Sequence, residues 1–172
     1  KYAWYRETIE EAYDLGLMSG ATATLFKPDA KMNRAMVACV FHRMEGSPKT
    51  TYVKKFSDVS SGQYYSSPVT WAANKKIING YNNGTFKPTK NVTREEMVTM
   101  VANFAKYKGK YTKKTYDLNK FNDGKKVTAY AKESMQWAIV SGVISGKDNG
   151  KRLDPLGTAT RAECTKMLLK AY

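Results

Sequence analysis

Arg34, Arg94 and Arg161 each stand where a polar turn gives way to an apolar stretch of helical spacing, directly after Asn33, Thr93 and Thr160. Those three preceding residues are good helix N-caps. A helix N-terminus carries partial positive charge and favours acidic side chains, so an arginine at the first helical position is locally unfavourable. Three of them imply a purpose beyond the helix itself. A guanidinium beside free backbone N–H groups makes an anion site, and a ligand carboxylate would accept a bidentate, charge-assisted pair from it. The competing purpose is a structural ion pair, with Asp58 and Asp123 as the candidate acids. Trp71 and Trp137 could stack on a flat ligand face or fill the core.

Other chemistry finds little material. Thr93-x-x-Glu96 and Thr160-x-x-Glu163 read as capping boxes rather than acid/base pairs. There is one histidine, His42, and there are two cysteines, Cys39 and Cys164, without CxxC spacing. That leaves no ordinary zinc site, no triad and no phosphate loop. No catalytic residue, metal or cofactor is expected. Cys164 lies three residues past its arginine and Cys39 five past its own. Two helical residues turn about 200°, so the thiols should face different surroundings, and no disulfide between them is expected.

The elements that position the arginines recur. GLMSG at 16–20, KIING at 76–80 and GVISG at 142–146 align, and each is followed by Phe26-Lys27-Pro28, Phe86-Lys87-Pro88 or Leu153-Asp154-Pro155. Gly20 to Gly80 and Arg34 to Arg94 are both 60 residues, while Gly80 to Gly146 is 66 and Arg94 to Arg161 is 67. Such offsets mark a triplicated unit. In the second unit, Val69, Ala72, Ala73 and Ile77 give a short apolar helix face, and Met97, Val98, Met100, Val101 and Phe104 a longer one. Trp4 aligns with Tyr64 and Tyr130, not with Trp71. The units are read as 1–46, 56–107 and 121–172, joined by polar, lysine-rich linkers at 47–55 and 108–120. One unit cannot bury its stripe alone, but three can by pointing their long helices at a common axis. The expected fold is all-α, with three tandem helix-loop-helix repeats in a pseudo-threefold array around a central three-helix bundle and grooves between units.

A net charge of +14 favours a polyanionic partner: nucleic acid, anionic membrane or anionic wall glycan. No nucleic-acid-binding motif is present, and no apolar run reaches the ~20 residues of a membrane span. Neither nucleic acid nor membrane insertion is therefore expected. The abrupt start at Lys1, without initiator Met or signal peptide, reads as a fragment or processed product.

The ordered landmarks resemble the S-layer homology family. Phe56, Asp58, Trp71, Gly80, Gly84, Phe86, Pro88, Thr93 and Arg94 carry the resemblance in the second unit. Phe121, Asp123, Trp137, Gly142, Gly146, Gly150, Pro155, Thr160, Arg161 and Glu163 carry it in the third. The first unit matches at Gly16, Gly20, Phe26, Pro28 and Arg34, lacks the opening Phe-x-Asp, and departs at Met36. The resemblance implies a monomeric pseudotrimer on the bacterial cell surface. It implies a non-enzymatic role, tethering a larger secreted protein to secondary cell-wall polysaccharide linked to peptidoglycan, often through pyruvylated sugars. Polymer-binding residues are then Arg34, Arg94, Arg161, Asp58, Asp123, Trp71 and Trp137, with Arg34 weaker because unit 1 is the most divergent. The alternative is a protein–protein assembly module at the cell surface that binds no glycan.

Overall fold

The computed structural model describes residues 3–22 and 24–172. It contains α1 (Arg6–Asp14), α2 (Arg34–Met44), α3 (Ser66–Asn74), α4 (Arg94–Tyr107), α5 (Lys132–Val140) and α6 (Arg161–Leu169), and no strand among the described residues. The long helices α2, α4 and α6 begin at the three arginines. Asn33, Thr93 and Thr160 cap them, each accepting the N–H three residues on. The capping box is complete at Thr93 with Glu96 and at Thr160 with Glu163.

The pseudo-threefold axis is drawn in backbone hydrogen bonds. Val92 N donates to Met32 O at 2.9 Å, Ala159 N to Val92 O at 3.0 Å, and Met32 N to Ala159 O at 3.4 Å. This ring joins the residues just before the three long helices and is fully buried, leaving no orphaned polar group. Below it the apolar stripes converge, with Phe41 of α2 stacked on Phe104 of α4 at 5.0 Å. Val37, Val98, Val101, Cys164 and Leu168 complete the core.

Each short helix packs chiefly on the long helix of the preceding unit: α3 on α2, α5 on α4, and α1 on α6. Trp71 fills the first of these seams, edge-on to His42 at 5.5 Å and to Tyr107 at 6.0 Å. Trp137 fills the second, stacked on Tyr111 at 5.5 Å. The linkers are more than solvated connectors. Their lysines are exposed, but Tyr111 and Tyr116 lie half-buried against the core, and Tyr52 donates to Val59 O at 2.6 Å.

Every short helix ends in the same pair of reversed hydrogen bonds. Leu17, Ile77 and Val143 N–H groups reach Ala12, Ala72 and Ala138 O, and Gly16, Lys76 and Gly142 reach Tyr13, Ala73 and Ile139 O. This is the Schellman geometry, whose turning residue needs positive φ. Gly16 and Gly142 meet that need, whereas Lys76 adopts φ 58 with a side chain. Lys76→Gly is therefore expected to raise stability by about 0.5–1 kcal/mol, the αL penalty being partly offset by glycine's greater freedom when unfolded. Urea unfolding should show the midpoint moving up; a fall would mean that the lysine stem contributes packing that outweighs the strain.

Candidate functional site

Each arginine reaches out of its own unit into the glycine-rich loop of the next. Arg34 Nε donates to Phe86 O at 2.7 Å, Arg94 Nε to Leu153 O at 2.8 Å, and Arg161 Nε to Phe26 O at 2.9 Å. Arg34 adds Asn79 O and Arg161 adds Ser19 O, both at 2.7 Å. The pattern runs 1→2→3→1 and closes. The guanidiniums of Arg34 and Arg161 also lie over Phe86 at 4.7 Å and Phe26 at 4.5 Å, within cation–π range. These contacts account for cations at helix N-termini: the helix penalty is a few tenths of a kcal/mol, and charge-assisted bonds to buried or partly buried carbonyls outweigh it.

The N-termini of α2, α4 and α6 have no N–H group left free for an outside anion. Arg34, Arg94 and Arg161 N–H groups donate to Lys90, Gly157 and Ala30 O, and the next residues donate to Pro88, Pro155 and Pro28 O. The third N–H of each helix goes to its cap. The expected anion site of guanidinium plus free backbone donors is therefore corrected: the backbone donors hold the units together. The arginines themselves are only 3%, 5% and 9% exposed, for Arg34, Arg94 and Arg161.

Nor do Asp58 and Asp123 touch the guanidiniums. Asp58 accepts from Phe86 N and Lys87 N, both at 2.7 Å, and Asp123 from Leu153 N and Asp154 N, both at 2.8 Å. They pin a strained turn, since Lys87 and Asp154 have φ 55 directly before proline, a region that pre-proline residues avoid. The acids that do pair are Glu96, with Arg34 at 3.5 Å and Lys90 at 2.9 Å, and Glu163, with Arg94 and Lys147, each at 3.2 Å. Burial pushes the Glu96 carboxyl up, but the Thr93 N–H, the Tyr81 hydroxyl, Lys90 and Arg34 hold it below the ordinary carboxylate range. Burial acts likewise on Glu163, and the Thr160 N–H, Arg94 and Lys147 outweigh it.

Above each arginine lies an open groove. The Arg34 groove, about 700 Å³, runs over Asn79, Gly80 and Tyr81 to Met100 and Asn103. The Arg94 groove, about 660 Å³, runs over Ser145, Gly146 and Lys147 to Met167 and Lys170. The Arg161 groove, about 340 Å³, runs over Ser19 and Gly20 to Met36, Val40 and Arg43. All three draw on three units, with the arginine from one, the loop and long helix from the next, and an aromatic rim from the one after. The loop glycine is required by close approach. At Gly80 a Cβ would overlap the Phe56 ring and sit 2.7 Å from Thr85 O.

The rim is the part that residue types alone did not select. Tyr130 borders the Arg34 groove, Trp4 the Arg94 groove and Tyr64 the Arg161 groove. They are 58%, 58% and 65% exposed, respectively. All three stand two residues before a short helix. Their alignment with one another was legible, but their exposure was not. Trp71 and Trp137 are the buried members of the same short helices and line no groove described above. Glu95, where the other two units have Ala35 and Ala162, holds Tyr130 in place by accepting from its hydroxyl at 3.1 Å and from Thr128 N at 3.1 Å. The degenerate helix start of unit 1, with Met36, falls in the Arg161 groove and not beside Arg34.

Comparison with known proteins agrees with this architecture. The model of the S-layer homology domain matches residues 1–36, 55–98 and 120–164. An amylopullulanase of Thermoanaerobacterium thermosulfurigenes is 27% identical over 165 residues, covering 96% of this chain and 9% of that protein. The surface-layer 125 kDa protein of Lysinibacillus sphaericus is 27% identical over 160 residues, covering 92% of this chain and 13% of that protein. The cellulosome-anchoring protein of Acetivibrio thermocellus is 24% identical over 155 residues, covering 88% of this chain and 34% of that protein. The chain thus spans a minor part of each relative's length. Three matched repeats on a closed ring of inter-unit arginines place this chain in the S-layer homology domain family, a non-catalytic module that anchors proteins at the cell surface.

Proposed function

We propose that this chain anchors a larger secreted protein to the bacterial cell wall by seating secondary wall polysaccharide, including its anionic, pyruvylated sugars, in the three inter-unit grooves. The observation that carries the reading is the repeated construction of the grooves: a polar floor of loop carbonyls and arginine, an apolar wall from the long helix, and an exposed aromatic at the rim. Concave sites of this size with a few fixed polar groups suit saccharide rings, and an exposed aromatic face offers stacking. The matched segment recurs in an amylopullulanase and in a surface-layer protein, so the shared part is independent of any one activity. No described helix is long and apolar enough to cross a membrane. One chain closes the ring of units by itself, so a monomer suffices.

Cosedimentation with purified bacterial sacculi tests the reading. Wild type should pellet with intact sacculi and stay soluble with sacculi stripped of secondary polymer. Trp4→Ala, Tyr64→Ala and Tyr130→Ala should each weaken pelleting about fivefold to tenfold, as loss of an aromatic contact does, and the triple variant should abolish it. The Lys113→Ala/Lys114→Ala control should change little. Undiminished pelleting of the triple variant together with loss in the linker control would mean that diffuse charge, not the grooves, holds the wall. A chain that ignores sacculi altogether would favour a protein–protein assembly role.

A further inference from the structure

The three grooves share a plan but not a charge state. In the Arg34 groove the guanidinium faces Glu96, and in the Arg94 groove it faces Glu163. In both cases the acid is the third residue of the long helix forming the groove wall. The same position in the Arg161 groove is Met36, whose side chain is at the surface. Among the described residues no carboxylate lies within 4.0 Å of Arg161, and Lys31 and Arg43, on the same groove, also have none. Their acceptors are neutral carbonyls: Phe26 and Ser19 for Arg161, Thr158 for Lys31 and Leu17 for Arg43. No described acid lines that groove at all. The Arg94 groove also holds several lysines, but its floor is compensated by Glu163, with Asp148 at its edge.

We propose that the Arg161 groove is the subsite that takes an anionic substituent of the bound saccharide, and that residue 36 sets this preference. The inference rests on the glycan-binding reading above. An arginine with a built-in carboxylate has already spent its charge, and an incoming anion must displace that acid or be repelled by it. Where the acid is missing, the buried charge is uncompensated. Burial lowers the Arg161 pKa without removing its charge at neutral pH. An anion from the ligand supplies the counter-charge that Met36 does not. In the other two grooves Glu96 and Glu163 already neutralise the arginine, which suits neutral rings.

The test is an NMR titration of the whole chain with glucuronate, glucose 1-phosphate and methyl glucoside, run on wild type and Met36→Glu. The introduced carboxylate would complete a capping box with Asn33 and reach Arg161 as Glu96 reaches Arg34, so this variant is expected to fold and to be at least as stable as wild type. In wild type the two acidic probes should shift the Tyr64 and Arg43 amides and the Arg161 Nε–H, and methyl glucoside should not. The relative response to the two acids tells a carboxylate subsite from a phosphate one. Met36→Glu should weaken the acidic probes about tenfold or more. Equal responses in all three grooves, no response in wild type, or an unchanged Met36→Glu titration would each overturn the inference. Sacculus pelleting judges the anchoring reading separately, since wild type can bind sacculi whether or not acidic probes choose this groove.

Discussion

Arg94→Ala should lower stability by about 3 kcal/mol or more, with the urea midpoint falling while the far-UV spectrum without denaturant stays helical. The guanidinium is buried, donates to Leu153 O at 2.8 Å and pairs with Glu163 at 3.2 Å. Removing one partner of a buried pair leaves the other uncompensated, which costs about 3–5 kcal/mol. Here Glu163 keeps Lys147 at 3.2 Å, so the lower end of that range applies. The loss falls on the junction between units 2 and 3, because Arg94 belongs to one and both its acceptors to the other. Arg94→Lys should recover only part of the stability, since an ammonium cannot span the carbonyl and the carboxylate as the planar fork does. A midpoint shift worth less than about 1 kcal/mol would show that the arginine is not a structural bridge and would make it a freely available ligand group again.

Asp123→Ala should be comparably damaging, at about 3 kcal/mol. Both carboxylate oxygens accept backbone N–H groups, from Leu153 and Asp154, and the residue is buried. Hydrogen bonds to a charged acceptor contribute about 1.5–3 kcal/mol each. They hold Asp154 at φ 55 ahead of Pro155, a conformation the chain does not choose unaided. Asp58→Ala should cost less, because Asp58 makes the same two bonds at an exposed position where water can replace them. Asp123 and Arg94 also share a target: one holds the Leu153 N–H and the other its carbonyl. The double variant should therefore lose less than the two single losses added together, by roughly 0.5 kcal/mol or more. Strict additivity would show that the loop is not jointly held.

An arginine substitution therefore cannot be read as the loss of a ligand group alone. Because the arginines form the groove floor by knitting units together, binding losses in arginine variants must be read against stability. The rim aromatics escape that difficulty, since Tyr64, Tyr130 and Trp4 are largely exposed.

By itself, the sequence determined the periodic features. Repeat spacing, the caps at Asn33, Thr93 and Thr160, and the apolar stripe from Met97 to Phe104 are local or short-period signals, and they specify six helices and their order. The departure at Met36 was also legible, because a capping box is a four-residue pattern. What only tertiary structure decided was which unit each side chain serves. Arg34 works in the loop of unit 2, Arg161 in that of unit 1, and each short helix packs on the long helix before it. No one-dimensional pattern states such a cyclic offset, since within-unit and between-unit partners repeat at the same period. The same ambiguity hid the roles of the aromatics. Trp71 and Tyr64 sit seven residues apart on one short segment, and propensity favours the tryptophan as the ligand platform. Packing of α3 against α2 buries the tryptophan and turns the tyrosine outward, because the helix seam needs the larger apolar body and the segment just before the helix lies at the rim of the neighbouring groove.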